Sequence, residues 1–486
     1  VEAQLRAALA IVAIAATAHA ETRPKYAGTV EATLLGAPAT LDPVFARTHA
    51  EITATGLIYD TLYYLGPDGV AQPRLATSLP VVDDKHATAR IALRKGVRFH
   101  DGSELTAADV VASLERTRQH DKWILAPISD IRADGESIVI GLHASGADVT
   151  TLLALPQTSI AKAGKIGTGP YNVATWDVKT RKLQLKAFDD YFAGRPYVDL
   201  ILRWYDTPDG EARKFETGAA QLSARGVAAF AGAQAVYKAD DVEGPAALLL
   251  YLGFGPAHAQ VTGDRAFRRA LDLAISRIGL DTVSAGERVV PTRLPVPVEA
   301  GGQALAPAAR APDLTAAAAQ LADAGKRVPA LAPDKLAALQ LEILVEDTRP
   351  DDHDIAERVG KGLDKLGIRA TITALPAATL RERLQKGQVD LWIGQLAEPV
   401  SSQLAWWGAA FAAGDDDWAQ AQLTAGAIEP GAAGKAFADH VPVVPLMFRS
   451  VRIWHRTDVR GLAFDASGRP CYADLFFFGQ PQRVKP

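Results

Sequence analysis

Leu339, Leu341, Ile343 and Val345 recur at every second position, the two-residue period of a strand. The period then lengthens. Ile355, Val359, Leu363 and Leu366 recur at helical spacing, and Gly367 supplies a residue free to take the left-handed conformation that stops a helix. Ile368 to Thr373 reads as a second strand, Leu380 and Leu384 mark a second helix closed by Gly387, and Val389 to Ile393 is a third strand. A strand-helix-strand-helix-strand succession with short connections predicts a parallel sheet with right-handed crossovers. In open sheets of this kind ligands lie outside the carboxyl ends of the strands. Topology alone therefore puts the segment from Gly394 to Trp407 beside a crevice.

The rest of the chain reads as α/β with strands and helices intermingled. Arg90-Ile91-Ala92-Leu93-Arg94 alternates like a half-buried strand, and an Asp101-Gly102 turn follows. Thr106 is placed as an N-cap, with Asp109 three residues on and Val110, Val111 and Leu114 on one helical face. Asp134-Gly135 separates two strand-like runs, the second with Ile138, Ile140 and Leu142 alternating, and predicts a hairpin. Val198, Leu200, Leu202 and Trp204 share one face of another strand. Gly- and Pro-rich stretches at Gly167-Thr168-Gly169-Pro170, at Gly244-Pro245 and from Pro291 to Pro312 offer boundaries.

Composition narrows the function. The chain has 486 residues, 48% of them hydrophobic and 22% charged, enough apolar material for two or three packed domains. A net charge of −4 argues against a nucleic-acid partner, which needs a basic surface. The single cysteine, Cys471, leaves no pair for an internal disulfide. Residues Leu5 to Ala18 form an apolar run that begins beside Arg6 and ends in Ala18-His19-Ala20, a small-x-small pattern of the kind signal peptidase cleaves. A span needs about 20 apolar residues, and this run is shorter. It reads as a signal peptide over 1–20, with an Ala-rich first helix as the other reading, and no cysteine follows it to carry a lipid. The expected location is the periplasm.

The usual catalytic signatures are incomplete. Ser159-Ile160-Ala161-Lys162 has the Ser-x-x-Lys spacing, but the Ser-Asp-Asn and Lys-Thr-Gly elements that complete that chemistry are missing. Gly167-Thr168-Gly169 opens like a dinucleotide fingerprint, yet Asn172 stands where the third glycine belongs. The histidines are scattered without a close ligand pair, so no metal or other cofactor is expected. Asp415-Asp416-Asp417 is read as a solvated loop or helix cap in preference to a calcium site. Trp406 and Trp407 offer an aromatic platform at the crevice; the competing reading packs one in the core and the other at a domain contact. Glu398 is the only carboxylate between Asp390 and Asp415, able to meet a ligand cation or to sit on the surface.

One ordered set of segments resembles a known family. Gly36-Ala37-Pro38-Ala39-Thr40-Leu41-Asp42-Pro43 is similar to the opening signature of the extracytoplasmic solute-binding proteins of family 5, the oligopeptide-, dipeptide- and nickel-binding components of ABC importers. Tyr59-Asp60-Thr61-Leu62 follows, then the long diagnostic run from Leu93 through His100-Asp101-Gly102 to Val110. Gly167-Thr168-Gly169-Pro170-Tyr171, Asp190-Tyr191-Phe192-Ala193-Gly194-Arg195-Pro196 and Phe267-Arg268-Arg269-Ala270-Leu271 continue the resemblance in order.

The resemblance implies a two-lobed periplasmic binding protein, or flytrap, with an additional subdomain inserted in lobe one. Lobe one would comprise 21–50, 165–245 and 441–486, the inserted subdomain 51–164, and lobe two 246–440. The implied function is capture of a small organic solute or short peptide between the lobes and delivery, as a monomer, to the permease subunits of an ABC importer, with no covalent chemistry. A ligand-sensing or scaffolding relative and a periplasmic hydrolase are the alternatives. Ligand contacts are expected from Pro38 and Thr40 on lobe one and from Gln395, Glu398, Trp406 and Trp407 on lobe two. Aligned on Pro399, Gln395 replaces the aspartate with which peptide-binding members grip an α-amino group, and Phe254-Gly255 stands where an asparagine is usual. A neutral amide gives up most of that charge-assisted strength, about 1 kcal/mol per bond against about 1.5–3.

Overall fold

The computed structural model describes residues 26–66, 68–144, 147–224, 239–282 and 287–478. The expected signal peptide, 1–20, lies outside the described residues.

Two large sheets organise the chain. In the first, Thr29–Thr33 lies parallel to both Asp199–Arg203 and Leu222–Ser223. Lys182–Ala187 and Tyr171–Asp177 extend one side, and Arg452–Arg456 and Ala239–Glu243 the other. Val30, Ala32, Leu200 and Leu202 are fully buried, because the strand period puts them all on one face.

The second sheet runs in the order Val289–Pro291, Val444–Arg449, Leu248–Phe254, Leu391–Ala397, Gln340–Glu346, Arg369–Leu375. Its last three strands are parallel, joined by helices Pro350–Lys365 and Ala377–Gln385, as the periodicity predicts. Gly367 and Gly387 follow those helices at φ +79° and +65°, conformations an L side chain rarely adopts. Leu248–Phe254 is buried at every position because it is central and covered on both faces. Its alternate residues divide between two cores, with Leu248, Leu250 and Leu252 in one and Leu249 and Tyr251 in the other.

A smaller four-stranded sheet, Val81–Asp83, Thr88–Ala92, Ser137–Leu142 and Ile128–Asp134, packs with helix Ala107–His120. Thr106 caps that helix in a capping box with Asp109, and Gly135 turns the predicted hairpin at φ +61°. This sheet's core is continuous with the outer face of the second sheet, which it reaches through Trp123, Trp406 and Trp407.

Two expected boundaries shift. Val444–Arg449 belongs to the second sheet, antiparallel to Leu248–Phe254, so the chain returns to the first sheet only before Arg452, not at 441. All six residues of that strand are buried, and the apolar run Val444 to Phe448 carries no alternation to reveal which sheet takes it. Helix His49–Ile58 packs Ile52, Ala54, Leu57 and Ile58 into the first core, so a boundary at 51 would cut a helix; the other core begins at Leu62. The two crossings between the large sheets lie side by side, with the Gly244 N–H donating to Val451 O at 2.9 Å.

Candidate functional site

A cavity of about 440 Å³ opens between the four-stranded unit and the second-sheet unit, beside the segment at Arg47. Arg47 precedes a first-core helix, Asp121 and Trp123 follow the helix of the small sheet, and Tyr251, Leu396 and Glu398 come from the second sheet. The loop after helix Gln403–Ala413 brings Asp415, Asp416 and Asp417 to the same space.

Glu398 stands just past the carboxyl end of strand Leu391–Ala397 and is only 3% exposed. Burial pushes its carboxyl up to about 8; the Arg47 guanidinium opposes that rise and the Asp121 carboxylate adds to it. Its Oε2 has no hydrogen-bond partner among the described residues. Arg47 is held elsewhere. Its Nη2 lies 2.5 Å from Asp121 Oδ2, and its Nη1 donates to Ala46 O at 2.8 Å and Val44 O at 3.0 Å. Asp121 terminates helix Ala107–His120, and burial raises its carboxyl against the pull of Arg47. Tyr251 is buried beside Gly394, where a Cβ would stand 2.5 Å from its hydroxyl; only glycine admits the ring there.

The residues expected from sequence separate into groups. Glu398 lines the cavity and is buried, so it is not a surface glutamate. Gln395 is 5% exposed, with Oε1 unpartnered among the described residues. It falls on the strand face of Ile393 and Ala397, opposite Leu396, and does not line the cavity. Trp406 is fully buried, donates Nε1–H to Pro399 O at 3.0 Å and sets its ring edge-on to Phe448 at 5.0 Å. Trp407 is 4% exposed and packs against Phe437 at 5.6 Å. Both indoles belong to the second core, and neither lines the cavity. Asp416 accepts from His440 Nδ1 at 2.7 Å and from Trp418 N at 3.0 Å, the loop-and-cap role expected of it.

Pro38 and Thr40 lie outside the cavity lining; Thr40 Oγ1 accepts from Asp42 N at 3.0 Å. Their turn touches the second sheet instead. Ala37 N–H is 2.9 Å from both Glu346 Oε1 and Thr348 Oγ1. Gly36, at φ +100°, leaves room for the Arg349 side chain, which a Cβ would meet at 2.9 Å. Nearby, Arg381 donates to Glu51 Oε1 at 2.8 Å and to Phe45 O at 2.7 Å, so two contacts tie the N-terminal segment to the second sheet unit. Trp123 makes a third tie by lying against Gly408, where a Cβ would meet the indole at 2.1 Å.

Arg47, Asp121, Trp123 and Tyr251 were not foreseen. They come from segments far apart in the chain, and no local pattern marks them. Only Asp121, a polar residue closing a predicted helix, carried a weak signal.

Two large α/β sheet units with a smaller third one, and a polar cavity beside them, make the two-lobed fold of the solute-binding proteins. Residues 70–415 match the model of the bacterial extracellular solute-binding proteins, family 5, and the chain belongs to that family. Protein XP55 of Streptomyces lividans is 31% identical over 306 residues, 56% of this chain and 54% of that protein. The glutathione-binding protein GsiB of Salmonella choleraesuis is 30% identical over 207 residues, 38% of this chain and 40% of that protein. The chain thus matches about half or less of the length of these relatives. Among solved structures, NikA from Staphylococcus aureus in complex with Ni(L-His)2 has a TM-score of 0.73 at 18% identity, covering 93% of this chain and all of that one. The oligopeptide-binding protein AppA from Bacillus subtilis, with a nonapeptide, has a TM-score of 0.73 at 17% identity over 94% of this chain and all of that one. These likenesses establish the fold.

Proposed function

We propose that this protein captures a small organic solute or short peptide outside the cytoplasmic membrane and delivers it to the permease of an ABC importer, making and breaking no covalent bond. One observation carries the reading. The cavity is walled jointly by the segment at Arg47, the four-stranded unit at Asp121 and Trp123, and the second-sheet unit at Tyr251 and Glu398. A solute there touches the small unit, the second-sheet unit and the Arg47 segment at once, so it favours the arrangement that holds them together. Its volume falls within the range of about 300–1,000 Å³ typical of small-molecule sites.

In this reading lobe one is built on the seven-stranded sheet, lobe two on the six-stranded sheet including Val444–Arg449, and the four-stranded unit is the inserted subdomain. The paired crossings at Gly244 and Val451 act as the hinge. Export through cleavage after Ala20 gives a protein beginning at Glu21, which N-terminal sequencing of the exported form checks.

The test is mass spectrometry of small molecules released on mild denaturation, followed by calorimetry and X-ray scattering with the compound found. A bound solute raises stability by about 2.7 kcal/mol at 100 times its dissociation constant. It also reduces the radius of gyration. No released compound, and no heat or compaction across a broad solute panel, overturns the reading.

A further inference from the structure

The capture reading makes the two crossings between the large sheets a hinge, and the following rests on that part of it. We propose that Glu243 is a positioning residue of this hinge: its carboxylate splices an edge strand of the first sheet to an edge strand of the second, a third crossing without a peptide bond that sets how far the two sheet units open.

The sheet orders carry the argument. Residues 444–456 run as one ribbon from the second sheet into the first, Val444–Arg449 in one and Arg452–Arg456 in the other. In the first sheet the ribbon is flanked by the edge strand Ala239–Glu243, with Glu243 opposite Arg452. In the second it is flanked by the edge strand Val289–Pro291, with Val289 opposite Arg449. One edge strand therefore ends beside the ribbon just where the other begins. The polypeptide does not join them. It leaves Glu243, passes the ribbon at Gly244, whose N–H donates to Val451 O at 2.9 Å, and enters the second sheet on the ribbon's other side at Leu248.

Side chains make the join instead. The Arg288 N–H is shared between Glu243 Oε1 and Ser450 Oγ, at 2.9 Å from each. The Ser450 hydroxyl donates to the same Glu243 oxygen, and Ser450 N–H donates to Arg288 O at 2.9 Å. Arg288 is anchored in the second-sheet unit by its ion pair with Glu299, Nη2 to Oε1 at 2.8 Å. Glu243 Oε2 is oriented from the first sheet by Arg452 Nη2 at 2.6 Å. Hydrogen bonds to an ionised carboxylate are shorter and stronger than those between neutral groups.

The join stands to one side of the peptide crossings, because Val289–Pro291 and Leu248–Phe254 flank opposite sides of Val444–Arg449. Rotation of one sheet unit on the other about those crossings therefore stretches it, and its bonds resist. Glu243 does not line the cavity, so it acts on the opening and not on the solute.

The experiment measures the separation of the two sheet units by spin-label distances in the full chain, without added solute. Labels go on Lys186→Cys in strand Lys182–Ala187 and Lys361→Cys in helix Pro350–Lys365, both exposed, with Cys471→Ser. Glu243→Ala should raise the open population by about tenfold, the low end for bonds to a charged group because the side chain is 28% exposed and solvent screens it. Glu243→Gln keeps an oxygen for the Arg288 N–H and the Ser450 hydroxyl and should restore most of the parent's distribution. Asp241→Asn breaks a neighbouring pair with Arg452, at 3.4 Å within the first sheet, and should leave the distribution as in the parent. An open population unmoved by Glu243→Ala, or moved equally by Asp241→Asn, overturns the splice and leaves solute capture standing. A larger open population for Glu243→Ala in a chain that releases no compound and answers no solute of the panel overturns capture and keeps the splice. If Glu243→Ala does not fold, Ser450→Ala, which removes another member of the same junction, decides by a shift in the same direction.

Discussion

On the proposed capture reading, Arg381→Ala tests whether the contact between the second-sheet unit and the N-terminal segment helps set the closed state. Arg381 belongs to helix Ala377–Gln385 of the second-sheet unit and reaches Glu51 Oε1 at 2.8 Å and Phe45 O at 2.7 Å. Glu51 is 3% exposed, and its other oxygen accepts from Arg47 N at 2.9 Å and Thr48 N at 3.1 Å. Glu51 thus stays capped after the substitution but loses its cation. A hydrogen bond to a charged group contributes about 1.5–3 kcal/mol. The Arg381 side chain is 25% exposed, so solvent screens the pair, and a combined loss of about 2 kcal/mol is the reasonable expectation. That moves the open–closed equilibrium of the empty protein roughly 30-fold toward open. The Ala37 contacts with Glu346 and Thr348 remain and limit the effect. Spin labels on the two lobes report the distance distribution, and calorimetry reports the matching loss of affinity, which cannot exceed the same factor. Melting confirms that the variant folds. A distance distribution and an affinity identical to the parent's would refute the latch.

Three other outcomes follow. Trp406→Ala empties a fully buried site and removes the bond to Pro399, so urea unfolding should show a loss of about 3–5 kcal/mol; a loss below about 1 kcal/mol contradicts the core assignment. Gly408→Ala drives a Cβ against the Trp123 indole, so the subdomain should seat less closely on lobe two, read as a larger radius of gyration and weaker solute binding; unchanged scattering contradicts the contact. Burial holds the His49 imidazole down at about 4, against 6.5 for an exposed one. Its contribution is therefore complete above pH 6.5 and is lost as pH falls toward 4, on the order of 3 kcal/mol in all. His49→Gln keeps a donor for Gly468 O and should flatten the pH dependence of the urea midpoint over that window; an unaltered slope contradicts the assignment.

Local chemistry made much of the fold legible, while the site depended on features no local pattern records. The 339–394 region announced itself because its apolar residues switch between strand and helix periods and both of its helices end at a glycine, Gly367 and Gly387, in the left-handed conformation. The Thr106 capping box and the Asp134-Gly135 hairpin are equally local. The tryptophan pair was ambiguous from its neighbours, yet a signal existed. Helix Gln403–Ala413 is apolar around its whole circumference after Gln403, and a helix without a polar face is an interior one. Val444–Arg449 failed for the opposite reason, since a strand covered on both faces has no period to assign it. The site itself turns on parity. Alignment on Pro399 counts residues and so draws attention to Gln395, but a strand alternates faces at every step. Gln395 shares its face with Ile393 and Ala397, toward the first core, whereas Leu396 turns to the cavity. Glu398, two residues beyond Leu396 and of the same parity, takes a cavity-lining position at the carboxyl end of the sheet. The count of residues from Pro399 therefore singles out a side chain, Gln395, that the strand's alternation turns away from this cavity.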